Sequence, residues 1–304
     1  MTHTNQISRN TLTGIGLAVL ATVIWSGNFV IARGIIHEIP PIALAFFRWL
    51  TASVMILPIA WKEFRQEWPL VKTHFPYLLL SALLGISLFN TLVYIAGHYT
   101  PAINLALIGT TSSPIIAIFL ARIILKEKVP MLRLIGLAIC ITGILFLLSK
   151  GSWQNLLGFH FSTGDIWVLL GATAFSSYTI LVRRKPAGIT ARSFLFVLFS
   201  LGTLLLLPAW LYERTYSPPI HWTPSLIVVI AYLGLGTSVI SFLCWNAAIT
   251  RLGAARTALF GNLIPIFSNL EAVWFLHEEI HIIHIISGLL VIAGLVIANL
   301  PVRR

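Results

Sequence analysis

Residues 113–127 read Ser-Pro-Ile-Ile-Ala-Ile-Phe-Leu-Ala-Arg-Ile-Ile-Leu-Lys-Glu, and residues 264–278 read Ile-Pro-Ile-Phe-Ser-Asn-Leu-Glu-Ala-Val-Trp-Phe-Leu-His-Glu. Both are apolar runs with proline in second place and glutamate at the end, so Pro114 and Glu127 fall on Pro265 and Glu278 at a shift of 151. A shift of 150 or 151 also carries Trp25-Ser26 onto Phe175-Ser176, Leu57-Pro58 onto Leu207-Pro208, Gly85 onto Gly236 and Gly143 onto Gly294. The second half of the chain reads as a diverged copy of the first. Each copy holds five hydrophobic spans, and an odd number of crossings forces two copies into opposite orientations in a bilayer. Inverted repeats with a midplane site between them are a signature of secondary transporters.

With 304 residues, 58% of them hydrophobic and only 10% charged, the chain lies outside the range of soluble globular proteins. A helix needs about 20 apolar residues to cross the hydrocarbon core. Ten stretches qualify: Leu12–Ile36, Pro41–Trp61, Tyr77–Tyr99, Ala102–Leu125, Leu132–Leu148, Ile166–Val182, Phe194–Tyr212, Ser225–Thr250, Ala254–Leu276 and Ile282–Leu300. The expected fold is an all-α integral membrane protein of ten transmembrane helices, built as two inverted five-helix repeats at residues 12–148 and 163–299. The first span is too long for a signal-peptide core, lacks a small-residue cleavage site and belongs to the repeat, so it is expected to be retained.

The net charge of +11 is distributed as an orientation signal rather than as a nucleic-acid patch. With the N-terminus in the cytoplasm, the clear loop residues Arg9, Lys62, Arg65, Lys72, Lys126, Lys128, Arg133, Arg184, Lys185, Arg192, Arg251, Arg303 and Arg304 fall inside, and of the clear loop residues only Lys150 and Arg214 fall outside. Lys/Arg bias in short loops sets topology, which predicts a multi-pass inner-membrane protein with both termini cytoplasmic. Cys140 and Cys244 lie inside spans and match neither a disulfide framework nor a metal spacing. No phosphate-binding loop is present, so neither ATP coupling within this chain nor any other cofactor is expected.

Polar groups on a lipid-embedded helix need internal partners or a water-filled cavity, so their positions mark the working faces. In the third span Ser87, Asn90 and Tyr94 are spaced i, i+3, i+7, and the shift carries this face onto Ser238, Ser241 and Trp245 in the eighth. The fourth span carries Ser112 within Thr110-Thr111-Ser112-Ser113-Pro114, and the ninth carries Asn262 and Asn269 around Pro265. Each proline removes a backbone hydrogen bond that hydroxyls and amides nearby can replace. The first span offers Trp25 and Asn28, and the sixth offers Tyr178 at the equivalent depth. The candidate cavity residues are therefore Trp25, Asn28, Asn90, Tyr94, Ser112, Tyr178, Ser241, Trp245, Asn262 and Asn269, with ordinary helix-to-helix hydrogen bonding as the competing role.

Two charges lie deep within spans, Arg48 and Glu271. A central arginine costs about 2.5–3.5 kcal/mol even on the lenient insertion scale, so the expectation is that Arg48 pairs with Glu271 or that the two couple to transport. Neither has a charged counterpart in the other repeat. The stretch His277-Glu278-Glu279-Ile280-His281 matches the H-E-x-x-H zinc-hydrolase pattern. Against that reading, the repeat partner Lys126-Glu127-Lys128-Val129-Pro130 keeps the acid without a histidine, and Asp165 is the only aspartate in the chain.

Both halves resemble the EamA domain of the drug/metabolite transporter superfamily. The resemblance rests on Trp25-Ser26-Gly27-Asn28-Phe29, Phe47-Arg48-Trp49 with Pro58, Pro114 with Leu125-Lys126-Glu127, and Pro265 with Phe275-Leu276-His277-Glu278. It departs in the sixth span, where Phe175-Ser176-Ser177-Tyr178-Thr179 lacks the Trp-Gly-x-Asn pattern. The resemblance implies a ten-helix bundle whose central cavity is built by spans 1, 3, 4, 6, 8 and 9. It also implies a bacterial inner-membrane permease rather than an enzyme. The function expected is export of amino acids or related small amphipathic metabolites by alternating access, with an uptake permease of the same fold, or a zinc hydrolase, as the alternatives. Its partners would be a small-molecule solute and the lipid bilayer.

Overall fold

The computed structural model describes residues 2–35, 38–99, 102–157, 162–276 and 282–300, and every regular element among them is helical. The first half comprises α1 (Thr2–Ile35), α2 (Pro41–Thr73), α3 (Phe75–Ala82), a π-helical segment (Leu83–Leu88), α4 (Phe89–Ala96), α5 (Ala102–Ile124) and α6 (Met131–Leu148). A short α7 (Trp153–Leu157) precedes the second half. That half comprises α8 (Thr163–Arg183), α9 (Ala191–Glu213), α10 (Pro224–Tyr232), a second π-helical segment (Leu233–Ile240) and α11 (Ser241–Leu252). There follow α12 (Ala254–Ala258), a 3₁₀ turn (Leu259–Leu263), α13 (Ile264–Leu276) and α14 (Ile282–Asn299).

Eight helical stretches among the described residues are long and apolar enough to cross a membrane, and Thr111–Ile124 of α5 is a shorter apolar one. The molecule is a multi-pass membrane protein whose regular elements, among the described residues, are all helices. The stretch 62–73, read from sequence as a loop, instead continues α2 to Thr73. At 1.5 Å per residue its 33 residues reach about 50 Å, well beyond a hydrocarbon core of about 30 Å. Beyond the core the helix carries Arg65 against the Trp61 ring and Lys72 against the Trp68 ring, an amphipathic surface suited to the membrane interface.

Helix starts are fixed by polar caps, because the first four backbone N–H groups of a helix lack internal partners. At the start of α8 the Asp165 carboxylate accepts from the Ser162 amide at 2.7 Å, and Thr190 and Thr223 cap α9 and α10. Two helices borrow a carboxylate from elsewhere in the fold. Glu213, the last residue of α9, accepts from the Ile42 and Ala43 amides at 3.0 and 2.7 Å. Glu127 accepts from the Ala254 and Ala255 amides at 3.2 and 3.4 Å, where Gly253 turns the chain at φ +89°.

The helices pack in matched pairs. α2 lies against α9, and α6 against α14; in each pair the partners are offset by about half the chain. α1 packs on α11 while α4 packs on α8, and α5 packs on α8 while α13 packs on α1. The α6–α14 crossing is set by two glycines. A Cβ at Gly136 would sit 2.4 Å from the Gly294 carbonyl oxygen, and a Cβ at Gly294 would sit 2.6 Å from that of Gly136, so neither position has room for a side chain. Small residues at such crossings let backbones approach without a hydrophobic driving force.

Candidate functional site

A cavity of about 120 Å³ lies among the helices. This is enough for several waters or one small solute, since one water needs about 10–15 Å³ by the same measure. Its wall takes Trp25 from α1, Arg48 from α2, Phe89, Asn90, Val93 and Tyr94 from α4, and Ser113 and Pro114 from α5. The lining also takes Val168, Ala172 and Phe175 from α8 and Phe242 and Trp245 from α11, while Ala258, Gly261 and Ile264 come from the α12–α13 region. These are the six spans the resemblance implied, joined by α2 through Arg48.

Aromatic rings form the apolar part of the wall. Trp25 meets Trp245 at a ring separation of 4.9 Å and meets Phe175 and Phe242 edge-on at 5.8 Å. Phe89 packs on Phe175 with the rings tilted and their centres 4.5 Å apart. Trp25 and Phe175, the residues aligned by the shift of 150, thus meet edge to face across the cavity lining. Trp25 is held in place by its indole N–H, which donates to the Thr237 carbonyl at 2.8 Å.

The polar part centres on Arg48, which is only 2% exposed. Its Nε donates to Ser238 Oγ at 2.9 Å, and its Nη1 donates to Asn90 Oδ1 at 3.0 Å and to the Tyr94 hydroxyl at 2.9 Å. Nη2 makes a long 3.4 Å contact to the Thr237 carbonyl, and the guanidinium lies 4.9 Å from the Trp49 ring. Every one of these partners is neutral. The expected Arg48–Glu271 pair is absent: the ion pairs within 4.0 Å among the described residues are Arg183–Glu127 and Arg192–Glu63. Glu271 instead accepts from Ser26 Oγ at 2.7 Å, and its other oxygen is buried without a partner. The guanidinium is enclosed instead by Asn90 and Tyr94 of α4 and by Thr237 and Ser238 of the π-segment before α11.

The two π-helical segments explain which residues of the expected faces reach the cavity. An α-helix would align Ser87 with Asn90, and Ser238 with Ser241 and Trp245, but a wide turn at Leu83–Leu88 and another at Leu233–Ile240 shift the register. Ser87 therefore donates to the Gly202 carbonyl. Ser238 and Ser241 donate to the Leu233 and Gly236 carbonyls five residues back, satisfying the wide turn rather than facing a solute. Asn90, Tyr94 and Trp245, just beyond these turns, border the cavity.

Other candidates are also placed elsewhere. Tyr178 is fully buried, donates to Asn246 Oδ1 at 2.9 Å and packs its ring onto Gly85, where a Cβ would clash at 2.3 Å. Ser112 bonds back to the Ile108 carbonyl within α5, leaving its neighbour Ser113 to line the wall beside Ser176. Asn262, in the 3₁₀ turn, is fully enclosed away from the cavity, and Ala258, Gly261 and Ile264 present that segment instead. The side chains of Asn28 and Asn269 and the stretch His277-Glu278-x-x-His281 lie outside the described residues. Sequence reasoning missed Phe89, Phe242 and Val93 as lining residues, because an apolar side chain inside a span carries no signal to separate cavity from lipid.

A multi-pass helical bundle enclosing an amphipathic cavity is the architecture of a membrane transporter. The EamA-like transporter family pattern matches residues 12–149 and 162–300. The chain belongs to that family. It is 29% identical over 294 residues to the uncharacterized transporter YyaM of Bacillus subtilis, covering 95% of this chain and 94% of the relative. It is 24% identical over 290 residues to a probable amino-acid metabolite efflux pump of Salmonella typhimurium, covering 92% and 93%. A solved crystal structure with 18% identity superposes with a TM-score of 0.76 over 96% of both chains, which shows the same fold.

Proposed function

We propose that the protein is an inner-membrane permease that exports amino acids or related small amphipathic metabolites through this cavity by alternating access. The observation that carries the reading is the composition of the wall: one buried cation and a few hydrogen-bonding groups together with a cluster of aromatic rings. Such a site suits a solute with a polar head and an apolar body. The name of the Salmonella relative points the same way. Ten spans in two inverted repeats, 12–148 and 163–299, are supported by the matched packing of α1 on α11 with α4 on α8, and by the meeting of Trp25 with Phe175. Rocking of one half against the other would expose Trp25, Asn90, Tyr94 and Trp245 to each side in turn. The test is flux of a labelled amino-acid panel into proteoliposomes with and without a pH gradient. Movement of at least one member above protein-free vesicles is expected, and none moving under either condition would defeat the reading.

A further inference from the structure

We propose that the cavity recognises its solute through a carboxylate, with Arg48 as the counter-ion and Asn90 and Trp245 as flanking donors; the inference rests on the transport reading above and names its substrate class. A buried cation is costly unless compensated, and the four partners of Arg48 supply dipoles but no negative charge. A guanidinium carries five N–H groups. Nη1 spends its two on Asn90 and Tyr94, Nε spends its one on Ser238, and Nη2 spends one on the long contact to Thr237. One N–H of Nη2 is left over.

The cavity lining holds two further unused donors. Asn90 is 5% exposed and Trp245 is 2% exposed. The Asn90 amide nitrogen and the Trp245 indole nitrogen are buried with no hydrogen-bond partner. Buried polar groups are nearly always satisfied, so orphaned ones call for an absent partner. All three unused groups donate, and Arg48, Asn90 and Trp245 all border the cavity. What they lack in common is an acceptor bearing negative charge. A carboxylate supplies up to four lone-pair sites and the missing charge in one group, and arginine matches it geometrically. A single cation neutralises a single negative charge, and Trp25, Phe89, Phe175 and Phe242 leave an apolar wall for the rest of the molecule. The solute class is a monocarboxylate with an apolar body, an apolar amino acid among them.

The experiment uses the purified protein in nanodiscs of zwitterionic lipid, so that anionic headgroups do not compete. Thermal unfolding is followed while titrating apolar L-amino acids and their des-amino acids, beside the amide and the decarboxylated amine of each. Carboxylates should stabilise the protein, and each matched amide and amine should bind about tenfold or more weaker. Asn90→Asp is isosteric and places a carboxylate beside Arg48 inside the protein, so it should melt like the wild type yet lose carboxylate binding by about tenfold or more. Trp245→Phe keeps an aromatic ring and removes the indole N–H, and should weaken carboxylates more than the matched amides and amines. Amides or amines binding as tightly as carboxylates, or Asn90→Asp keeping wild-type carboxylate affinity, would overturn the proposal while leaving transport intact. A panel of which no member binds or crosses proteoliposomes would defeat both.

Discussion

Arg48 and Glu271 show how far residue types alone lead. Their depth in the spans is plain from sequence, and so is the need for partners, but the partners depend on which helices close around them. Arg48 is enclosed by α4 and the turn before α11, while Glu271 is met by Ser26 of α1. Since they share no bond, the losses in folded yield from Arg48→Leu and Glu271→Leu should add in the double mutant, within about 0.5 kcal/mol if measured as stability. Recovery of yield in the double mutant would restore the ion pair. Trp25, Asn90, Tyr94 and Trp245 were legible because polar or aromatic groups in mid-span are rare enough to mark a cavity. Asn90→Ala should weaken solute recognition by on the order of 1 kcal/mol in counterflow, with a normal elution profile.

At the scale of elements, the sequence carries the spans and their breaks but not the register within them. Periodicity counted at 3.6 residues per turn placed Ser87 and Ser241 on cavity faces. The wide turns at Leu83–Leu88 and Leu233–Ile240 moved those faces, and no residue pattern announced them. The same turns occupy equivalent places in both halves, directly before the residues that border the cavity, as π-helical turns at functional sites commonly do. The α6–α14 crossing gives a separate test. Gly136→Leu would press a side chain into the Gly294 carbonyl and the Ala298 amide, backbone groups that cannot swing aside. A loss of about 1–3 kcal/mol or more is expected from overpacking, read as a lower unfolding temperature in detergent. An unchanged melting temperature would mean that the helices do not approach this closely. Glu213→Gln, which keeps shape at the start of α2 but removes the charge on the Ile42 and Ala43 amides, should cost less, about 0.3–1 kcal/mol.

For the whole molecule, hydropathy was readable from sequence and the multi-pass helical bundle agrees with it, while duplication and charge bias carry the proposed inverted repeats and orientation. The cavity's apolar wall was not readable, since Phe89, Phe242 and Val93 look like any lipid-facing residue until the helices are assembled. Orientation is testable directly, because Cys140 and Cys244 are both buried and leave a quiet background for labelling. A cysteine at position 69, on the exposed extension of α2, should resist a membrane-impermeant maleimide added outside, and one at position 155 in α7 should react. The reverse pattern would invert the topology.

The central claim is that solute passes through the cavity shared by the two halves, and counterflow in proteoliposomes addresses it most directly. Wild-type protein and the variants Trp245→Ala and Trp61→Ala are reconstituted and loaded with unlabelled amino acids, then given the labelled panel outside. Trp61 lies exposed on α2, far from the cavity wall, and serves as the control. The expected result is transient accumulation of at least one labelled solute by wild type and Trp61→Ala, and its loss in Trp245→Ala at equal folded yield. Accumulation by Trp245→Ala at the wild-type rate would contradict the claim and move the path elsewhere.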